Sequence, residues 1–178
     1  VTPTAGASSV FNQVIEREID GSMVRTRLRP LPSGRLSPRF ALLFGVLLCL
    51  AGVLGLALRM NLLSAILALA TTVVYIVVYT PMKRWSSVNT LVGALPGAMP
   101  PVLGYCAAAG EVGPWAWILF AVVFLWQVPH FMAIAWLYRG DYAAAGMRML
   151  PAMEGTEGLA GRQAALHALT LLPVTVLP

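Results

Sequence analysis

Asn12, Glu16 and Asp20 stand four residues apart, immediately ahead of the basic run from Arg25 to Arg29, in a chain that otherwise excludes charge. On a helix this spacing turns each side chain only about 40° from the last, so an amide and two carboxylates share one stripe. An acid pair at a helix end often does no more than neutralise neighbouring arginines. Here the amide one turn away and the guanidiniums of Arg25, Arg27 and Arg29 extend the set. Mg²⁺ is usually held by one or two carboxylates plus substrate phosphate. Guanidiniums take phosphate oxygens by charge-assisted, bidentate hydrogen bonds. The pattern points to a magnesium-bound phosphate ester.

Three further places in the sequence bear on this chemistry. Asp141, followed by Tyr142, supplies an acid on another polar segment, and Lys83 with Arg84 a basic pair on a third. Together they outline a pocket for a polyanionic head group, with lipid-like tails entering between helices. His130 lies inside an apolar stretch, in the string Trp126-Gln127-Val128-Pro129-His130-Phe131. An intramembrane histidine most often just hydrogen-bonds a neighbouring helix, but ionisable groups at that depth are functional candidates by default. Iron ligation, proton transfer or a contact to a propionate are all open to it.

The elements that must position these groups are membrane spans. Of 178 residues, 58% are hydrophobic and 11% charged, and mean hydropathy is +0.78. A soluble globular domain is about one quarter charged. The fold class expected is an all-α, polytopic transmembrane bundle in a single domain over 1–178, with spans near 40–58, 60–82, 85–110, 112–138 and 163–178. The first four reach the roughly 20 residues that cross a bilayer. Only residues 59–61 join the first two, which makes them an antiparallel hairpin. The third carries Gly93, Pro96, Gly97, Pro100, Pro101 and Gly104. Such breaks in a backbone ladder are tolerated in lipid where protein covers them, so this span belongs in the bundle interior. Residues 1–11 read as the frayed start of the helix carrying the stripe, which must end by Pro30 and Pro32. The chain starts without Met and stops within an apolar run, which reads as a segment incomplete at both ends.

Taking the polar segments alternately, one side receives eleven of the twelve basic residues and only Arg59 falls opposite. Six acids share that basic side, among them Glu154, with Glu111 alone on the other. The positive-inside rule puts the basic side in the cytoplasm. The +5 balance then follows from topology and attraction to anionic lipid or substrate, with no call for nucleic acid. Cys49 and Cys106 fall within spans and read as buried apolar thiols.

Residues 11–38, 79–105, 126–136 and 141–151, which include FNQVIEREIDGSMVRTRLRP, YTPMKRWSSVNTLVGALPG, WQVPHFMAIAW and DYAAAGMRMLP, resemble the protohaem IX farnesyltransferases, the haem O synthase branch of the UbiA superfamily of intramembrane prenyltransferases. The resemblance implies a bundle of about nine spans around a central cavity, of which this chain is roughly the middle and inactive alone. It implies transfer of farnesyl from farnesyl diphosphate to a vinyl group of protohaem IX (haem B), giving haem O for haem-copper oxidases in a bacterial inner membrane, with handover to haem A synthase. Carried over by position, Asn12, Glu16, Asp20 and Asp141 would be catalytic and hold Mg²⁺. Arg25, Arg29, Lys83, Arg84 and Tyr142 would bind the diphosphate, and His130 and Gln127 the haem. Glu16 stands where Asp is commoner, and Ala145 stands where many superfamily members carry a second acid. Two other readings stay open: a UbiA-type enzyme with another acceptor, such as an aromatic acid or chlorophyllide, and a membrane transporter or lipid-binding protein.

Overall fold

The computed structural model describes residues 1–153 and 155–177. Glu154 and Pro178 lie outside the described residues, as does the side chain of Glu157. The architecture is all-helical. Helix α1 (Thr2–Ile15) and the short α2 (Arg17–Ser22) precede an extended turn segment, and α3 (Pro38–Arg59) follows. Next come α4 (Leu62–Val73), a π-helical segment Val74–Tyr79 and α5 (Thr80–Met82), which run on as one span, Leu62–Met82. Then α6 (Asn89–Ala109), α7 (Pro114–Leu137), α8 (Arg139–Ala144) and α9 (Glu157–Val174) complete the chain.

Four helices among the described residues are long and apolar enough to cross a membrane: Pro38–Arg59, Leu62–Met82, Asn89–Ala109 and Pro114–Leu137. They match the four full-length spans expected, and the chain is a multi-pass membrane protein. Side chains sort inside out relative to a soluble domain. Phe40, Leu43, Leu47, Leu50 and Leu54 of α3 face outward, while Ala41, Ala65, Ala68, Ala94, Ala98, Ala116 and Ala135 fill the interior. In lipid no hydrophobic force drives helices together, and small residues let backbones approach for dispersion contact.

Residues 1–11 are not frayed. From Thr2 onward they belong to a regular helix that packs along α3 with Thr4 and Ala7 buried. Two glycines of α3 make room for it. A methyl group at Gly52 would lie 2.6 Å from Thr4 Cγ2, and one at Gly45 would lie 2.8 Å from the Phe11 ring. The small, weakly polar residues that looked like fraying are the packing surface.

Helices α3 and α4 form the expected hairpin. Asn61 closes it by accepting from the Ser64 N–H at 2.8 Å, and its amide donates to the Cys106 carbonyl of α6 at 2.8 Å. Helix α6 is the interior element, with 39% of its most apolar stretch buried against 22% for each of the other three spans. Its prolines do not interrupt it, since the helix runs unbroken through Pro96, Pro100 and Pro101. Its glycines receive neighbours: a methyl at Gly93 would overlap the Tyr79 ring, and one at Gly97 the Gln127 amide. Gly110, at φ 79°, ends α6 in the left-handed region open to glycine. Both cysteines are free, Cys106 buried as expected and Cys49 only half-buried. Helix α9 occupies the place of the fifth expected span and packs against α7.

Candidate active site

The chain bends at Glu16, whose φ of −93° and ψ of 8° separate α1 from α2. The hydrogen-bond register nevertheless carries on: the Glu16 N–H donates to the Asn12 carbonyl at 2.9 Å, and the Asp20 N–H to the Glu16 carbonyl at 2.7 Å. Asn12, Glu16 and Asp20 therefore keep their shared stripe, and all three line one cavity of about 130 Å³. Glu16 is 5% exposed and Asp20 2%, so both carboxylates sit where an unpaired charge would be costly.

The facing wall comes from the π-helical segment. Pro81 has no N–H to give, and one residue earlier the Thr80 N–H reaches back five residues to the Tyr75 carbonyl. The wider turn brings Tyr79, Thr80 and Lys83 to α1, and single π-turns of this kind favour functional sites. Asn12 Oδ1 accepts from Thr80 Oγ1 at 3.1 Å and from Lys83 Nζ at 3.2 Å. Lys83 Nζ also donates to Glu16 Oε2 at 3.0 Å, as does Asn12 Nδ2 at 2.9 Å. The ammonium lies 4.7 Å from the Tyr79 ring centroid, so its remaining direction faces an aromatic surface.

The turn segment after α2 folds back to complete the basic side. Thr26, 1% exposed, donates its hydroxyl to the Asp20 carbonyl at 2.8 Å. Arg29 Nη1 then reaches Asp20 Oδ2 at 2.8 Å. Arg25 lies over the Tyr138 ring, 5.0 Å from its centroid, and donates to the Tyr142 hydroxyl at 3.4 Å. Met147 and Met149 close the floor, because the Arg148 N–H donates to the Lys83 carbonyl at 2.8 Å and the buried Asn89 amide holds the Arg148 carbonyl at 2.9 Å.

Asn12, Glu16, Asp20, Arg25, Arg29, Lys83 and Tyr142 thus converge on one cavity. The other expected residues do not join it. Arg84 is exposed and does not line the cavity. Asp141, beside Tyr142 on α8, lines no part of it, and among the described residues no three His, Cys, Asp or Glu side chains come together. Gln127 is buried between α7 and α6, with its amide directed at the Ala94 carbonyl at 3.5 Å. His130 is exposed on α7 and stacks on Trp126, with ring centroids 4.8 Å apart and planes inclined by 14°.

The donor set fits a hard divalent cation. Glu16 uses only Oε2 and Asp20 only Oδ2 in hydrogen bonds among the described residues, which leaves one oxygen of each carboxylate free. Among the described residues no fully buried side-chain oxygen is left without a partner, so these free oxygens open onto accessible space. With Asn12 Oδ1 they make an all-oxygen set of the kind Mg²⁺ takes.

A second cavity of about 230 Å³ lies deeper, between α1, α4 and α6, walled by Thr4, Ala68, Tyr75, Pro96, Gly97 and Leu103. Tyr75 lines the apolar space and Tyr79 the charged one, and their rings are 5.1 Å apart. Tyr75, Tyr79 and Thr80 are among the residues at the site that sequence reasoning missed. A signal was present, because Tyr75, Tyr79 and Lys83 repeat the four-residue spacing of the acidic stripe.

Residues 1–178 match the UbiA prenyltransferase family, whose members generally depend on a metal ion. The chain is 49% identical over 174 residues to a protein of Solibacter usitatus named protoheme IX farnesyltransferase, covering 98% of this chain and 60% of that protein. Proteins of the same name from Koribacter versatilis and Myxococcus xanthus are 47% and 43% identical, with 98% of this chain and 56% and 59% of those proteins covered. The chain thus spans a little over half the length of these relatives. No solved structure matches it. A family match running through every residue, on a membrane bundle whose charged cavity holds the Asn12, Glu16 and Asp20 stripe, makes the chain a member of the UbiA prenyltransferase family.

Proposed function

We propose that the protein of which this chain is part transfers farnesyl from farnesyl diphosphate to a vinyl group of protohaem IX, giving haem O. The observation that carries the reading is the adjacency of two unlike cavities, one charged and one apolar, on either side of the Tyr75–Tyr79 pair. An amphiphilic diphosphate needs both. The acceptor assignment draws on the name shared by relatives up to 49% identical.

Asn12, Glu16 and Asp20 would hold Mg²⁺, which when bound offsets the charge gathering on the leaving diphosphate. Arg29, Lys83 and Arg25 take diphosphate oxygens as the allylic carbon–oxygen bond ionises, with Tyr142 donating its hydroxyl. Asp141 and Arg84 act from the rim. The farnesyl chain lies in the apolar cavity, where Leu103, Ala68 and Pro96 keep water from the allylic carbon. Attack by the vinyl carbon moves the positive charge onto the porphyrin-bearing carbon, and water then adds there and loses a proton. His130 orients the porphyrin from the outer face of α7, while Gln127 fixes α7 against α6. The charged cavity opens to the cytoplasmic side of a bacterial inner membrane, in keeping with eleven of twelve basic residues on that side. The product would pass to haem A synthase.

The test is haem O formation in membranes holding the complete protein, supplied with protohaem and farnesyl diphosphate, with and without Mg²⁺. Haem O made only with the metal is the expected result. Farnesyl diphosphate consumed with haem unmodified would overturn the acceptor. Neither substrate changing would favour a transporter or lipid-binding role.

A further inference from the structure

Lys83 occupies the space that a cation held by Asn12 and Glu16 would need. Its Nζ lies 3.2 Å from Asn12 Oδ1 and 3.0 Å from Glu16 Oε2, and its side chain is only 12% exposed. With the Tyr79 ring at 4.7 Å on a further side, the ammonium sits against two of the three proposed ligands.

The other donors at the stripe can stay bonded while the metal enters, the Asn12 amide on Glu16 Oε2 among them. Thr80 Oγ1 has one proton and two acceptors in reach, Asn12 Oδ1 at 3.1 Å and the Tyr75 carbonyl at 2.9 Å, so it can release the amide and stay bonded. Arg29 engages Asp20 through Oδ2 alone and leaves Oδ1 free. Lys83 has no such alternative. A dication on Asn12 Oδ1 and Glu16 would stand within a few ångströms of the ammonium, beside a carboxylate side chain only 7% exposed, where like charges repel more strongly than in bulk water. Its backbone is pinned, since the Lys83 carbonyl accepts the Arg148 N–H at 2.8 Å. Only the four-carbon side chain can swing.

We infer that Lys83 is a placeholder for the metal: it neutralises Glu16 in the unloaded site and is displaced from Asn12 and Glu16 when the metal enters. The displaced ammonium needs a new anion, and the diphosphate supplies it. Metal and diphosphate therefore bind with positive coupling, and the unloaded enzyme takes metal poorly. Coupling of this kind is reciprocal, so each ligand raises the affinity for the other by the same factor. This inference rests on the proposed diphosphate site and concerns how that site is loaded.

The test is Mn²⁺ binding to the full-length protein in nanodiscs, read from the electron paramagnetic resonance signal of free Mn²⁺. Wild type, Lys83→Met and Lys83→Gln are compared, each with and without farnesyl thiodiphosphate, an analogue whose diphosphate leaves poorly. In wild type the analogue should tighten Mn²⁺ binding by roughly 10-fold or more, within the usual range of coupled sites. Both variants should bind Mn²⁺ more tightly than wild type without the analogue, and the analogue should then add little. Unchanged Mn²⁺ affinity in both variants, with wild-type coupling intact, would overturn the placeholder role and leave the metal site standing. Failure of every protein to bind Mn²⁺ with the analogue present would remove the metal reading and the placeholder with it. Lys83→Gln keeps a hydrogen-bonding head group, so its Mn²⁺ affinity decides the matter where Lys83→Met fails to fold.

Discussion

Arg29 Nη1 and Asp20 Oδ2 lie 2.8 Å apart, with the Asp20 side chain 2% exposed and that of Arg29 36% exposed. The pair is asymmetric, and its two halves should fail differently. Arg29→Ala leaves a buried carboxylate without its counter-ion, which costs more than the roughly 1–3 kcal/mol of an unpaired neutral group. Asp20→Ala leaves an arginine that can turn to water. The expected outcome is a larger fall in thermal midpoint for Arg29→Ala, and turnover lost by about 100-fold or more for Asp20→Ala, the effect typical of losing a key transition-state electrostatic contact. Membrane insertion should be normal in both. Near-normal turnover in Asp20→Ala would remove it from the metal set.

Glu16 is the member of the stripe whose carboxylate is carried one methylene further out than that of Asp20. Its Oε2 takes both the Lys83 ammonium and the Asn12 amide. Glu16→Asp keeps the charge but draws it back from Lys83, so the effect should fall on Mg²⁺ dependence. We expect the half-saturating Mg²⁺ concentration to move by no more than about 10-fold, the factor that corresponds to 1.4 kcal/mol. Glu16→Gln should lose most activity at any Mg²⁺ concentration. Equal activity in Asp and Gln variants would mean that the carboxylate charge is not used.

The spans and the acidic stripe were legible in the sequence because both are local patterns. Long uncharged runs mark helices that cross lipid, and a four-residue repeat survives even the bend at Glu16. What could not be read was set by neighbours distant in the chain. Thr26 holds the Asp20 carbonyl through a fold-back of the turn segment, and Met147 and Met149 enter the cavity because Asn89 and Lys83 hold the Arg148 backbone. The π-helical turn escaped for a similar reason, since Pro81 removes one donor but it takes α1, and α6 behind Tyr79, to give the displaced Tyr79, Thr80 and Lys83 something to face. Residues 1–11 were misjudged because small side chains signal weak structure in water and close helix packing in lipid.

Gly93 and Gly104 lie on the same helix and should respond in opposite ways to alanine. A methyl at Gly93 would overlap the Tyr79 ring, whereas nothing lies within 4 Å of one at Gly104. Gly104→Ala gains helix propensity and should be neutral or stabilising by about 0.5–1 kcal/mol. Gly93→Ala must move Tyr79, which walls the charged cavity and carries the Lys83 contact. Activity should therefore fall in Gly93→Ala even where the protein remains folded by circular dichroism. Full activity there would show that the Tyr79 position is not needed.

Asp141 neighbours Tyr142 in sequence but not in the cavity, because adjacent residues on α8 point about 100° apart. Any part it plays in metal or diphosphate binding is confined to the loaded enzyme. Asp141→Asn should then leave Mn²⁺ binding to the unloaded protein unchanged while lowering turnover, by roughly 10- to 100-fold if it supports the ligands as outer partners of metal sites do. Asp20→Asn, by contrast, should weaken Mn²⁺ binding in both states. Two results would count against this division: a drop in unloaded Mn²⁺ affinity for Asp141→Asn, which would put its carboxylate in the resting site, or wild-type turnover, which would take it out of the reaction.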